Sequence, residues 1–109
     1  MFKLASLDNL TIPVPLAARI GLADGSTTPV EFTTHCRVLA DESIAELARS
    51  GDRALLKAVV VDWEGVVADD GSPLAFDAEQ FDAVLAYACI RVALIGAYYE
   101  AVARAARKN

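Results

Sequence analysis

The stretch TPVEFTTHCRV, residues 28–38, decides the fold of the first part of the chain because apolar and polar side chains alternate along it. One face would carry Val30, Phe32, Cys36 and Val38, with Thr34 as its polar exception, and the other face Glu31, His35 and Arg37. Successive side chains of a strand point to opposite faces of a sheet. The pattern therefore predicts a strand with one face buried.

A second extended stretch, residues 10–20, precedes this strand, and Asp24-Gly25 lies between the two. An Asp-Gly pair readily adopts the positive backbone dihedral angles of a tight turn, so the segment predicts a β-hairpin. Pro13 and Pro15 cannot donate ladder hydrogen bonds. The first strand should therefore be an edge strand, or it should begin after these prolines.

Two short helices are predicted next. Asp41 is placed to cap the first helix and Gly51 to end it. Asp52 is placed to cap the second helix, which should end at Gly65. Its apolar residues fall on one helical face: Leu55, Leu56, Val59, Val60 and Trp63. The run Val59–Val61 favours a strand by propensity, but the spacing and the caps favour a helix.

The last part of the chain is predicted to be a loop followed by a long helical segment. Residues 65–76 are rich in turn-forming residues. Asp77 and Gln80 then form a capping-box pattern. A helical apolar stripe follows at Phe81, Val84, Leu85, Ala88, Val92, Ile95, Tyr99 and Val102. This segment either runs unbroken to about Ala106 or breaks near Tyr87.

These elements predict a helix-rich α+β fold, with an N-terminal β-hairpin followed by three to four α-helices. The 109 residues fit one domain, with a β-hairpin region at 1–40 and a helical region at 41–109. The chain has 21 alanines, which bury little area each, so its core should be thin and should gain from a partner. We therefore expect self-association.

Charge and composition exclude several classes of partner. The net charge of −5 repels phosphate backbones and anionic lipid head groups, so we expect no nucleic acid and no membrane as primary partner. Residues 83–99 are apolar but too short for a membrane span, and they contain Arg91. Residues 1–8 do not resemble a signal peptide, and two distant cysteines with one histidine suit neither a disulfide framework nor a zinc site. We expect a reducing cytoplasm.

No constellation of catalytic or ligand-binding residues is apparent in the sequence. His35 and Cys36 are neighbours on a strand, so their side chains should point to opposite faces and cannot pair. The acidic residues Asp62, Glu64, Asp69 and Asp70 do not follow the spacing of a calcium loop. No glycine-rich phosphate loop is present. We expect no enzymatic activity, no metal and no cofactor.

Aromatic residues are the remaining candidates for a structural or partner-contact role: Trp63, Phe76, Phe81, Tyr98 and Tyr99. Adjacent residues of a helix cannot share one face fully, so at least one of the two tyrosine rings should point away from the apolar stripe. Trp63 either fills the small core where the second helix meets the loop at residues 65–76, which we call the acidic loop, or anchors an interface.

Three segments resemble the tail assembly chaperones of long-tailed bacteriophages. They are LLKAVVVDWEGV at residues 55–66, DDGSPLAF at 69–76 and AYYEA at 97–101, with a basic ending, RKN, at 107–109. The resemblance covers about residues 28–109. The family often has a proline between its last two helices, where this chain has AYAC at residues 86–89.

The resemblance implies a small non-enzymatic protein of phage or prophage origin that acts in the host cytoplasm. It would bind the tape measure protein, keep it soluble, promote assembly of the major tail tube protein around it, and be absent from the mature virion. Two other classes fit the composition. One is a small acidic protein–protein interaction module of the antitoxin or adaptor type, and the other is a small enzyme. A tape measure gene immediately downstream would distinguish among them.

Overall fold

The structure, a computed structural model, describes residues 10–107. Its elements in chain order are β1 (Thr11–Gly21), β2 (Thr27–Arg37), α1 (Asp41–Arg49), α2 (Asp52–Val59), β3 (Val60–Glu64), α3 (Ala78–Leu85) and α4 (Ala88–Arg107). The α+β class is confirmed, with four helices and a three-stranded antiparallel sheet, but helices do not dominate the fold as the term helix-rich implied. The expectations for residues 1–8 and for the end of the basic segment, 108–109, lie outside the described residues.

The predicted β-hairpin is confirmed. β1 and β2 pair antiparallel from Thr11 opposite Arg37 to Gly21 opposite Thr27. In the turn, Asp24 Oδ1 accepts hydrogen bonds from the backbone N–H and hydroxyl of Ser26. β1 is an edge strand with Pro13 and Pro15 inside it, so the first of the two alternatives for these prolines holds. One side of an edge strand needs no ladder donors, which makes proline tolerable there.

The prediction of a second helix reaching Gly65 is wrong, and so is the order of a hairpin followed only by helices. α2 ends at Val59, and residues 60–64 form β3, which pairs antiparallel with β2. The branched side chains of Val60 and Val61 favour a strand, and Val60 pairs with Cys36 of β2. Gly65 follows the end of β3 with a φ of 87°, a backbone conformation that residues with a side chain rarely adopt.

Two predicted caps are wrong by one residue. Ala40 and Gly51 are the N-cap residues of α1 and α2, so Asp41 and Asp52 are the first helical residues. Their carboxylates, in the first turn of each helix, still interact favourably with the positive end of the helix dipole. Asp77 is confirmed as the N-cap of α3, because its side chain accepts hydrogen bonds from the backbone N–H groups of Glu79 and Gln80, at 2.7 and 3.2 Å.

The long helical segment breaks at Ala86 and Tyr87, which decides between the two predicted alternatives. α3 and α4 are bent by 105° at this break. The Arg91 guanidinium donates a hydrogen bond to the carbonyl of Leu85 at 2.7 Å and so satisfies a carbonyl that the end of α3 leaves free. In the described part of the chain no single helix is long and apolar enough to cross a membrane, although the bent α3–α4 pair reaches the required length and composition together.

The core lies between the inner face of the sheet and helices α2, α3 and α4. Its buried apolar residues are Val14, Leu16, Cys36, Ile44, Leu55, Leu56, Val59, Val60, Trp63, Phe81, Leu85, Leu94 and Tyr98. Thr34, the exception in the strand pattern, is fully buried, and its hydroxyl donates to the carbonyl of Val14 at 3.2 Å. This bond removes the cost of burying a hydroxyl group.

The predicted apolar stripe is only partly correct beyond the break. Leu94 and Tyr98 face the core in α4, whereas Val92 is 62% exposed and Tyr99 is 43% exposed. The spacing of the stripe assumes one continuous helix. The bend at Ala86 and Tyr87 changes which face of the following helix contacts the core. The prediction therefore holds for Phe81, Val84 and Leu85 in α3. In α4 it holds for Ile95 and Val102, which pack against the core, and fails for Ala88, Val92 and Tyr99.

Candidate interaction surface

The five aromatic residues expected to have structural or partner-contact roles divide into a buried group and an exposed one. Trp63, Phe81 and Tyr98 are buried, and Phe76 is half-buried. Tyr99 is exposed although its ring centroid lies 6.0 Å from that of Tyr98. Four of the five therefore stabilise the fold, and Tyr99 alone is available to a partner.

Trp63 is the centre of an aromatic cluster, formed with Phe32, Phe76 and Phe81. Its ring centroid lies 6.3, 5.2 and 6.2 Å from theirs, each pair in an edge-to-face arrangement. The indole Nε1–H donates a hydrogen bond of 2.9 Å to the carbonyl of Leu74. β3 supplies the tryptophan, the following loop supplies Phe76 and Leu74, and α3 supplies Phe81. The cluster thus fixes the acidic loop onto the sheet and α3.

The acidic loop is a second tight turn. Asp70 Oδ1 accepts from the backbone N–H and the hydroxyl of Ser72, and these bonds lower the pKa of Asp70. Val67 and Pro73 form an isolated bridge across the turn. Asp62 Oδ1 accepts from the backbone N–H of Trp63 at 2.8 Å. These carboxylates satisfy local backbone donors, and the residues the structure describes contain no group of three or more His, Cys, Asp or Glu side chains suited to a metal ion.

The structure places His35 and Cys36 on opposite faces of β2, as strand geometry predicts. His35 lies on the outer face, with Nε2 3.7 Å from Glu64 Oε1. Cys36 is 1% exposed on the inner face, where its sulfur lies 3.4 Å from the hydroxyl of Thr34. Burial raises the pKa of the Cys36 thiol, which disfavours the nucleophilic thiolate. The two side chains cannot act together on one substrate.

Tyr98 attaches α4 to the sheet. It is fully buried, and its hydroxyl donates a hydrogen bond of 3.0 Å to the carbonyl of Arg37 at the end of β2. Burial raises the pKa of Tyr98, so the phenol stays protonated and remains a donor at neutral pH. With Tyr98 and Leu94 facing inward, the opposite side of α4 faces outward.

The outward side of α4 carries a continuous apolar surface. Its exposed residues, which we call the α4 outer face, are Cys89, Val92, Gly96, Tyr99 and Ala103. Tyr87, 63% exposed, lies beside it at the bend. From residue 86 to residue 99 the sequence has one charged side chain, Arg91, whose guanidinium is bonded to the end of α3.

This surface differs from an ordinary exposed helix face. A helix on the surface of a globular protein usually has polar and charged residues on its outward side, and a helix that is apolar all round is usually buried. The α4 outer face is apolar over about three turns, and charged residues reappear at Glu100 and Arg104, which pair with each other. Extended apolar patches of this kind mark sites of protein association.

No protein-family model, curated protein or solved structure matches this chain. Its function is therefore inferred from the residues and their geometry, and the α4 outer face is the strongest candidate for a functional surface.

Sequence reasoning missed four of the five residues of this face, since it selected Tyr99 but not Cys89, Val92, Gly96 or Ala103. Val92 was assigned to the core. The signal was present in the alternating spacing of three and four residues from position 89 to position 103. These residues could be recognised as a separate surface only once the structure showed which side of α4 faces the core.

Proposed function

We propose that this protein is a tail assembly chaperone that binds the tape measure protein of a long-tailed phage or prophage through the α4 outer face. The single observation that carries the proposal is the charge-free, exposed face of a 20-residue helix. A tape measure protein is a long helical protein, and before assembly its apolar surface has no partner. A helix face with apolar residues spaced three and four apart suits such a client, because two helices pack along this spacing.

The resemblance supports the proposal through the fold. Its most specific residues, in the DWEGV and DGSPLAF segments, include Trp63, Gly65 and Phe76, and these lie in or beside the aromatic cluster. They stabilise β3 and the loop after it. The residues that distinguish one client from another are expected on α4 instead, so the candidate contact role passes from Trp63, Phe76, Phe81 and Tyr98 to Tyr99 and its neighbours.

The proposed action is stoichiometric and not catalytic. The chaperone covers apolar surface of the tape measure protein in the host cytoplasm and prevents its aggregation. Subunits of the major tail tube protein then replace the chaperone as they polymerise, so it is absent from the mature virion. Each step is an exchange of one apolar contact for another and requires no catalytic residue, metal or cofactor.

The test is co-expression of the chain with the tape measure protein from the same genome. The parent chain should raise the soluble fraction of the tape measure protein and co-purify with it. Val92→Glu, which adds a charge to an exposed apolar position, should abolish both effects without unfolding the chain. Ala45→Glu adds the same charge to an exposed position on α1 and serves as the control.

Two results would count against the proposal. If the parent chain leaves the tape measure protein insoluble, the chaperone function is wrong, and a small acidic interaction module of the antitoxin or adaptor type takes its place. If Val92→Glu binds as well as the parent, the function stands but the α4 outer face is not the contact surface. Circular dichroism on each variant verifies that the fold is retained.

A further inference from the structure

The hydrogen bonds of the hairpin show which backbone groups of β1 point away from β2. Just beyond one end of the paired strands, the Val38 N–H donates to the carbonyl of Leu10 at 3.1 Å. Just beyond the other end, the Leu22 N–H donates to the carbonyl of Ser26 at 2.8 Å. Opposite residues of an antiparallel pair alternate between bonded and unbonded pairs. The even-numbered residues of β1 therefore bond to β2, and the odd-numbered ones direct their N–H and C=O groups to the free edge.

Prolines interrupt much of the free edges of the hairpin. Pro13 and Pro15 lie at odd-numbered positions of β1, and Pro29 lies on the far edge of β2, beyond the residues that pair with β3. A proline has no N–H to donate, so an added strand cannot form a regular ladder at these positions. An unbroken row of odd-numbered residues with N–H groups remains in the second half of β1. It consists of Ala17, Arg19 and Gly21, which we call the open edge.

The open edge is accessible to another strand. Its three residues are exposed, and nothing lies within 4 Å of the position where a Cβ atom of Gly21 would be. Within residues 10–107 no turn, loop or cap hydrogen bond uses their backbone groups. From Ala17 to Gly21 the row extends about 14 Å at 3.4 Å per residue. Exposed strand edges of this kind accept an added strand, the binding mode called β-augmentation.

Arg19 places a positive charge at the centre of the open edge. Its guanidinium donates a hydrogen bond to the Thr27 hydroxyl at 3.1 Å, and within residues 10–107 no carboxylate forms a salt bridge with it. In an antiparallel ladder the side chain opposite Arg19 lies on the same outer face, so an aspartate or glutamate there would pair with the guanidinium. A second copy, paired about a two-fold axis at the same position, would bring Arg19 against Arg19, which is destabilising. Charge therefore favours a different polypeptide over a second copy.

The inner side of the sheet beside the open edge is apolar. Ala18 and Ile20 are half-buried, and Ala18 packs against the core. In an added strand, the two residues that flank the acidic one lie opposite Ala18 and Ile20 and point to this inner side. Apolar side chains there would extend the buried face of the sheet. The edge thus fits a segment in which an acidic residue lies between two apolar ones.

We propose that the open edge binds an extended segment of another protein, added antiparallel to β1 as a fourth strand. An acidic residue of the segment lies opposite Arg19, and apolar residues lie on both sides of it. Backbone hydrogen bonds supply the affinity, and Arg19 supplies the selectivity. The interaction uses the edge of the sheet and not the α4 outer face, so it does not depend on the tape measure client.

A peptide titration followed by nuclear magnetic resonance tests the site on the full, isotope-labelled chain. The probe is a short capped peptide of alternating threonine and valine in which a central glutamate replaces one threonine, and a comparison peptide has lysine there. The glutamate peptide should shift the amide signals of Ala17, Arg19 and Gly21 and slow their hydrogen exchange. It should bind about fivefold more tightly than the lysine peptide at low salt, because opposite charges across a strand pair attract and like charges repel.

Two substitutions separate the backbone contribution from the charge. Ala17→Pro removes an N–H that the hairpin does not use, and it should weaken binding of the glutamate peptide about tenfold. Ala17→Thr keeps that N–H at the same exposed position and is the matched control, with binding equal to that of the parent. Arg19→Glu leaves the backbone unchanged and should reverse the preference, so that the lysine peptide binds more tightly. Circular dichroism verifies the fold, and Arg19→Glu decides the test if Ala17→Pro does not fold.

Three results would overturn the proposal. One is the absence of shifts at the open edge with the glutamate peptide at about 1 mM, where binding with a Kd near 1 mM is detectable. Another is equal binding of the two peptides by the parent. The third is protection of the open-edge amides that rises with the concentration of the chain alone, which would assign the edge to a second copy. None of these measurements includes the tape measure protein, so their failure is distinct from failure of the proposed function.

Discussion

Trp63→Ala should destabilise the protein more than any other single truncation in the aromatic cluster. Trp63 is 5% exposed, contacts three phenylalanine rings edge-to-face, and donates its Nε1–H to Leu74. Truncation of a buried large aromatic residue costs ~3–5 kcal/mol. The carbonyl of Leu74, left without its donor, accounts for about 1 kcal/mol of that loss. Domains of this size unfold with about 5–15 kcal/mol, so the variant should be poorly folded at 37 °C.

Urea unfolding followed by circular dichroism measures this effect, since the variant lacks the only tryptophan and gives no indole fluorescence. Trp63→Phe separates the hydrogen bond from the packing. It keeps an aromatic ring but loses the donor to Leu74, and it should cost about 1–2 kcal/mol. Tyr87→Ala is the control, because Tyr87 is 63% exposed and its truncation should change stability by less than about 0.5 kcal/mol.

A loss below 1 kcal/mol for Trp63→Ala, with an unchanged denaturant slope, would refute the assignment of Trp63 to the core. A variant that unfolds at the parent's urea concentration yet no longer binds the tape measure protein would instead place Trp63 in an interface. An unfolding midpoint of Trp63→Phe equal to that of the parent would show that the bond to Leu74 contributes nothing measurable.

Two other substitutions test polar contacts. Tyr98→Phe keeps the ring but removes the hydroxyl that bonds to the carbonyl of Arg37, and it should cost about 1–2 kcal/mol in urea unfolding. Asp82→Asn tests the Arg53 hydrogen bond and the Arg53 and Lys57 charges that hold the pKa of Asp82 below its usual value of 3.8. A lowered folded-state pKa stabilises the fold above that usual value and ceases to do so as pH falls through the lowered one. The variant should therefore melt slightly below the parent at pH 7 in low salt, and the difference should vanish in acid or in high salt, which thermal melts at several pH values and salt concentrations would show.

The hairpin was predictable because its signals are local. The alternation along residues 28–38, the Asp24-Gly25 turn and the two prolines of an edge strand all lie within one continuous segment, and each has a direct effect on the backbone. The capping by Asp77 is local in the same way, since its side chain bonds to backbone groups two and three residues later. Local signals of this kind predict the structure correctly because their effect on the backbone does not depend on contacts with distant parts of the chain.

The third strand was not predictable by the same means. The sequence of residues 55–63 is compatible both with a helix and with the start of a strand, and the interpretation of Asp52 as a helix cap favoured the helix. The choice is made by β2, which offers an unpaired edge to residues 60–64. A preference for strand of less than about 1 kcal/mol becomes decisive when a ladder of hydrogen bonds is added to it. Val59–Val61 carried that preference, but the partner strand lies almost thirty residues away along the chain.

The candidate surface was hidden for a related reason. A helix residue that contacts a partner has the same chemical character as one that contacts the core, so Val92 and Leu94 cannot be distinguished by type. What distinguishes them is the rotation of α4 about its own axis, which decides which residues face the core. This rotation is set by the bend at Ala86 and Tyr87 and by the hydrogen bond that attaches Tyr98 to the end of β2. Once Tyr98 is fixed inward, residue 96 must face outward, because it lies almost opposite Tyr98 on the helix, and residues 92 and 99 flank it at about 100–120° from Tyr98. The apolar composition of α4 is thus divided between two surfaces, and among residues 10–107 only the inner one is used.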